Sequence, residues 1–160
     1  MLKSIGVLLA MSVAGSLLRA AEPASPLPAT FKSAAELAAA LHQSMAKGGD
    51  QSSAPIANES HYRINIVRRD KSGPAMAHAT GPAKGTEVHY ILDGAATVVT
   101  GGTLVRPAAD ARAPSRIDNG VERRVAKGDV VVIPTGTPHW YKQVDGSVTY
   151  LEVRFDVDLN

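Results

Sequence analysis

The stretch "GDVVVIPTGTPHW", Gly128 to Trp140, decides how this chain is read. Val130 to Ile133 form a β-branched apolar run, which predicts a strand anchored in a core. Pro134, Gly136 and Pro138 then make a corner. Proline fixes φ and glycine supplies conformations closed to other residues, so such a corner is rigid. A loop that only reversed direction would not need His139 directly behind it. The stretch therefore predicts a core strand whose corner aims an imidazole.

Outward from it, the chain has the character of a β protein. From His61 the period is two: Tyr62, Ile64 and Ile66 alternate with polar residues, predicting a half-buried strand with the isoleucines facing inward. "TEVHYILDG" and "AATVVTGGTLV" predict a strand, a turn at Gly94, a second strand, and a tight Gly101–Gly102 hairpin into a third. "RPAADARAPSRIDNG" predicts an exposed excursion. "VERRVAKGDVVVIP", "HWYKQV" and "SVTYLEVRFDV" add further short strands separated by turns. Before them, Ser33 and Glu36 fit a capping box, and Leu37, Leu41 and Met45 fit one apolar helical stripe ended by Gly48 and Gly49, with His42 partly buried beside it. "GDQSSAPIANES" is expected to be a loop. One helix followed by seven or more short strands implies a β-sandwich or small barrel.

Composition bounds the function. At 160 residues the chain has room for one domain with a core. Residues 1–20 have a lysine, an apolar stretch and small residues near Ala20, the layout of a signal peptide, so a periplasmic or secreted location is expected. Residues 21–57 are expected to be a Pro-rich tether and the helix, and 58–160 the β domain. Without Lys3 and Arg19, the 17 basic residues fall to 15 against 15 acidic ones. A neutral mature chain lacks the basic face of a nucleic-acid binder, and no membrane association is expected after signal removal. There is no cysteine, so site chemistry falls to His, Asp and Glu.

Two segments have a spacing that carries chemistry. In the first, six residues separate Glu87 from Gly94; in the second, Gly128 leads through Pro134 and Gly136 to His139, with Gln143 near the motif's last slot. The pair resembles the two motifs of the cupin superfamily, over roughly residues 60 to 157, and looks closest to small exported bacterial single-domain, RmlC-like members. The resemblance implies an all-β double-stranded β-helix, a jelly-roll barrel, with one N-terminal helix. The family's His-x-His pair departs from its usual place: His78 stands nine residues ahead of Glu87, and Thr80 occupies the second histidine's slot.

Within such a barrel, strand alternation puts Glu87, His89 and Ile91 on one face. If Ile91 faces the core, an ionised Glu87 faces it too, which is costly unless it is paired or metal-bound. His78, Glu87, His89 and His139 would supply a ligand set for a divalent transition metal, Zn, Mn, Fe or Ni. His89 and His78 have packing as the competing role. Tyr90, Trp140 and Tyr141 could line a mouth or simply pack, and His42 and His61 lie outside the motifs. The functions implied are a metal-dependent enzyme for a small molecule, of dioxygenase or isomerase type, or a non-catalytic small-ligand module with a structural metal or none. A homodimer is a further expectation from exposed strand edges.

Overall fold

The computed structural model describes residues 28–76, 85–108 and 114–156. The expected leader and His78 lie outside the described residues. Helix α1 spans Ala34–Met45, and the capping box forms: Glu36 N–H donates to Ser33 Oγ at 3.2 Å, and Ser33 N–H to Glu36 Oε2 at 2.8 Å. The expected stripe is displaced. Leu37 and Leu41 are half-buried together with Ala40 and Ser44, while Met45 and His42 are exposed. The helix rests on the first strand and buries no residue completely.

Among the described residues eight strands follow: β1 Ser52–Asn58, β2 Tyr62–Arg69, β3 Thr86–Thr100, β4 Thr103–Val105, β5 Arg116–Asp118, β6 Val121–Ala126, β7 Val130–Ile133 and β8 His139–Phe155. The main sheet runs β1-β2-β8-β3-β6 with β7 also on β3, and every pairing is antiparallel. The described residues form an all-β jelly-roll barrel with one N-terminal helix.

Several expected boundaries are corrected. The segment expected to be a loop contains β1, an edge strand. Pro55 has no N–H to donate, which an edge tolerates, and the register slips between Pro55 and Ala57. Gly94 is no turn between strands; β3 runs through it. Its φ is +76°, and a Cβ there would lie 1.9 Å from the Ser147 carbonyl oxygen, so glycine lets two long strands stay paired where they bend. Likewise β8 is one strand across Gly146, at φ +72°. After Gly101–Gly102, β4 pairs with β5 rather than returning along β3, and β5 carries Ile117, buried within the supposed excursion.

The bend closes the barrel. The first half of β3 pairs with β7 and the second half of β8; its second half pairs with β6 and the first half of β8. His139 sits opposite Thr100, at the far end of β3 from Glu87. On a flat sheet that separation would be roughly 40 Å, at about 3.3 Å per residue. Instead His139 Nε2 lies 3.7 Å from Glu87 Oε2. The sheet must curl back on itself.

Facing residues form rungs across the inner surface. Val67, Tyr150 and Ile91 make an apolar rung within a buried cluster with Ala96, Val98, Val125, Tyr141 and Val148. One step along, Asn65, Glu152 and His89 align; one further, Arg63, Arg154 and Glu87. This inverts the expected faces of β2. Val67 and Arg69 are its buried residues, whereas Ile64 and Ile66 are half-buried on the opposite face, because the barrel interior is polar at this end. The expectation for β7 is corrected in the same way. Ile133 is buried, but Val130 and Val132 are each 58% exposed, since β7 has only one covered face.

Candidate metal centre

The polar rungs bring four possible ligands into one cavity of about 340 Å3, lined also by Ser53, Arg63, Asn65, Arg69, Met76 and Tyr150. Glu87, His89 and His139 are at most 4% exposed, and Glu152 is half-buried. Alternation along β3 gives Glu87 and His89, pairing with β8 adds Glu152, and the corner before β8 delivers His139.

That corner is built as its residues demand. Thr137 N–H donates to the Pro134 carbonyl at 3.0 Å, with Gly136 at φ +78° inside the turn. His139 is then pinned by reciprocal backbone bonds with Met76, at 2.8 and 3.0 Å. Its Nδ1 lies 3.2 Å from the Thr137 carbonyl oxygen. A carbonyl only accepts, so Nδ1 carries the proton, and in the neutral ring the Nε2 lone pair is left on the Glu87 side. An aromatic stack seats His89. Its ring lies 4.5 Å from that of Tyr150 and 5.9 Å from that of Tyr141, and Nδ1 meets the Tyr141 hydroxyl at 3.1 Å.

The donor spacing fits one cation. His89 Nε2 lies 3.2 Å from Glu87 Oε2 and 4.0 Å from Glu152 Oε2, and the ligand atoms of these three residues all lie within 4.8 Å of one another. Two ligands held about 2.1 Å from one ion stand roughly 3 to 4 Å apart. Two imidazoles and two carboxylates are a donor set suited to Mn, Fe, Ni or Zn.

Surrounding groups tune the cluster. Arg154 Nε lies 3.8 Å from Glu87 Oε1, and Asn65 Nδ2 donates to Glu152 Oε1 at 3.0 Å. Burial pushes the Tyr141 hydroxyl well above the ordinary range, with Tyr150 adding to the shift and Arg69 opposing it. Burial likewise pushes Tyr150 up to about 12, again against Arg69. Both phenols stay neutral beside the carboxylates.

The structure thus brings together Glu87, His89 and His139 of the expected ligand set; His78 lies outside the described residues. Glu152 was missed. Its signal was the alternation of Tyr150, Glu152 and Arg154 through "TYLEVRF", a polar series that ordinarily marks a solvated face. Of the expected mouth aromatics, Tyr141 packs in the core, Tyr90 is exposed, and Trp140 donates to the Gly73 carbonyl at 2.7 Å. Gln143 is exposed and bonds Asp145, away from the cluster.

No curated protein matches the sequence. Among solved structures, KdgF from Halomonas sp. is 16% identical with a TM-score of 0.49, covering 68% of this chain and 82% of its own. The DMSP lyase DddQ from Ruegeria pomeroyi is 19% identical with a TM-score of 0.49, covering 69% of this chain and 49% of its own. The Fe(II) form of HppE is 15% identical with a TM-score of 0.48, covering 66% of this chain and 50% of its own. The family model described as Cupin matches residues 44–155, most of the sequence. The chain belongs to the cupin family.

Proposed function

We propose that this cupin is an exported protein whose barrel holds one divalent transition metal, and that a small molecule is bound and transformed there. The observation that carries the reading is the meeting of Glu87, His89 and Glu152 within 4.8 Å, with His139 Nε2 3.7 Å from the same Glu87 oxygen. Glu87, His89, Glu152 and His139 would hold the ion. Once bound, the metal would supply Lewis acidity or, if iron, oxygen activation.

The chain's own residues do the rest. The Tyr141–Tyr150 stack, with ring centroids 5.0 Å apart, packs against His89 and keeps it in one orientation. The Thr137 carbonyl fixes the His139 tautomer, and Asn65 and Arg154 orient the two carboxylates. A cavity of about 340 Å3 suits a compact substrate. The signal-like segment at residues 1–20 supports export.

Elemental analysis of protein purified from its native compartment tests the reading. About one tightly held transition ion per chain is expected, lost in Glu87→Gln and in His139→Ala while circular dichroism stays native. His78→Ala, measured alongside, decides whether that histidine also contributes. Protein free of metal, with His139→Ala equally stable and equally active, would overturn it. Turnover of small phenolic, keto-acid or sugar substrates that stops on chelation separates catalysis from simple capture.

A further inference from the structure

Arg69 closes β2 inside the barrel, 6% exposed, and lines the same cavity as Glu87, His89 and Glu152. Its Nε–H donates to the Tyr150 hydroxyl at 3.1 Å, and its guanidinium carbon lies 5.2 Å from the centre of the Tyr141 ring. Among the described residues no carboxylate forms an ion pair with it. Asp50 lies on the same side of Gly73 as a terminal nitrogen of Arg69, but its carboxylate pairs with Lys71 at 3.1 Å.

A guanidinium does not give up its proton. One neutral hydrogen bond and a ring face offset only part of the cost of burying its charge. Its terminal amino groups make no hydrogen bond to the described residues, and no fully buried polar side-chain atom there lacks a partner, so these amino groups reach accessible space. They form a planar fork matched to the paired oxygens of an oxyanion. Arg63 lines the same cavity nearer solvent and adds a second positive charge.

We propose that Arg69 is the anion-recognition group of this cavity, and that the ligand is a small organic oxyanion, a carboxylate or a phosphate ester. The inference rests on the metal reading, because Glu87 and Glu152 would repel an anion until a divalent ion balances their charges. With that ion in place, Arg69 and Arg63 leave the cavity positive. The anionic group then faces Arg69 while the rest of the ligand faces the metal.

The test uses full-length protein loaded with Mn(II), the loading followed by electron paramagnetic resonance. Calorimetric titration with glycolate, methyl phosphate and neutral glycolamide follows. At least tenfold tighter binding of one anion over glycolamide is expected, with glycolate preferred for a carboxylate ligand and methyl phosphate for a phosphate ester. Arg69→Gln should abolish that preference while leaving Mn(II) affinity unchanged, and Arg69→Lys should keep part of it. If Arg69→Gln does not fold, a preference reduced in Arg69→Lys carries the same conclusion. A preference untouched by both variants, or absent from Mn(II)-loaded wild type, would overturn the assignment of Arg69 alone. Failure to take up Mn(II) would remove the metal reading, and this inference with it. A merely structural Arg69 would alter stability without changing the discrimination between anion and amide.

Discussion

The Asn65 side-chain amide donates to Glu152 Oε1 at 3.0 Å, and the other oxygen of that carboxylate lies 4.0 Å from His89 Nε2. Asn65 thereby turns Glu152 toward the cluster without entering it. Groups that orient ligands from behind typically contribute 10- to 100-fold in metal affinity. Asn65→Ala should weaken metal binding by about that factor, read by competition with a chromogenic chelator. Unfolding should shift little, because the position is only half-buried.

Gly94 and Gly146 both have positive φ, but their surroundings differ. A Cβ at Gly94 would meet the Ser147 carbonyl oxygen at 1.9 Å, whereas nothing lies within 4 Å of one at Gly146. Gly146→Ala should cost only the left-handed backbone penalty, about 1–2 kcal/mol. Gly94→Ala adds a backbone clash at the bend that closes the barrel, and should cost roughly 3 kcal/mol or more. Urea unfolding of the two variants gives the comparison. Equal losses would show that the close β3–β8 approach is not what requires glycine.

Along β7 the exposed and buried positions make opposite predictions. Val130→Thr and Val132→Thr should change stability by no more than about 0.5 kcal/mol, as ordinary surface substitutions do. Ile133→Ala, at 2% exposure, should cost about 2–5 kcal/mol through the cavity it leaves. Thermal melts of all three variants check the one-sided burial of this strand.

Alkaline pH should loosen the barrel through its two buried phenols. The folded-state value of Tyr150 lies near 12, above its ordinary 10, so the folded chain holds that proton more tightly than the unfolded chain. The contribution is fully present below pH 10 and is lost as the pH rises toward 12. Tyr141 shifts in the same direction, with burial as the main cause. Denaturant midpoints should therefore decline above about pH 10, and tyrosinate absorbance should include a late phase that coincides with unfolding. Tyr150→Phe should shrink that decline.

Much of the site was legible because motif spacing and strand alternation are local. Glu87 and His89 share a face at period two, and the Pro134–Gly136–Pro138 corner marks His139. Glu152 was not legible: "TYLEVRF" has the alternation of any half-solvated strand, and nothing local says that its polar side faces a cavity. The same ambiguity misassigned β2, where Ile64 and Ile66 suggested a core face that Val67 and Arg69 occupy. Strand β1 was hidden by Pro55 and small residues, which fit a loop as well as an edge. Gly94 and Gly146 suggested turns, because glycine marks a bulge and a reversal alike.

The sequence by itself determined the β character, the capped helix, the rigid corner and the shared face of Glu87 and His89, since each depends on dihedral preference or on the period of neighbouring residues. Only the tertiary structure decided that His139 meets Glu87, that Glu152 joins them, and that Arg69 shares their cavity. Those meetings depend on register between distant strands and on the curl of the sheet at Gly94, which no short window of sequence encodes.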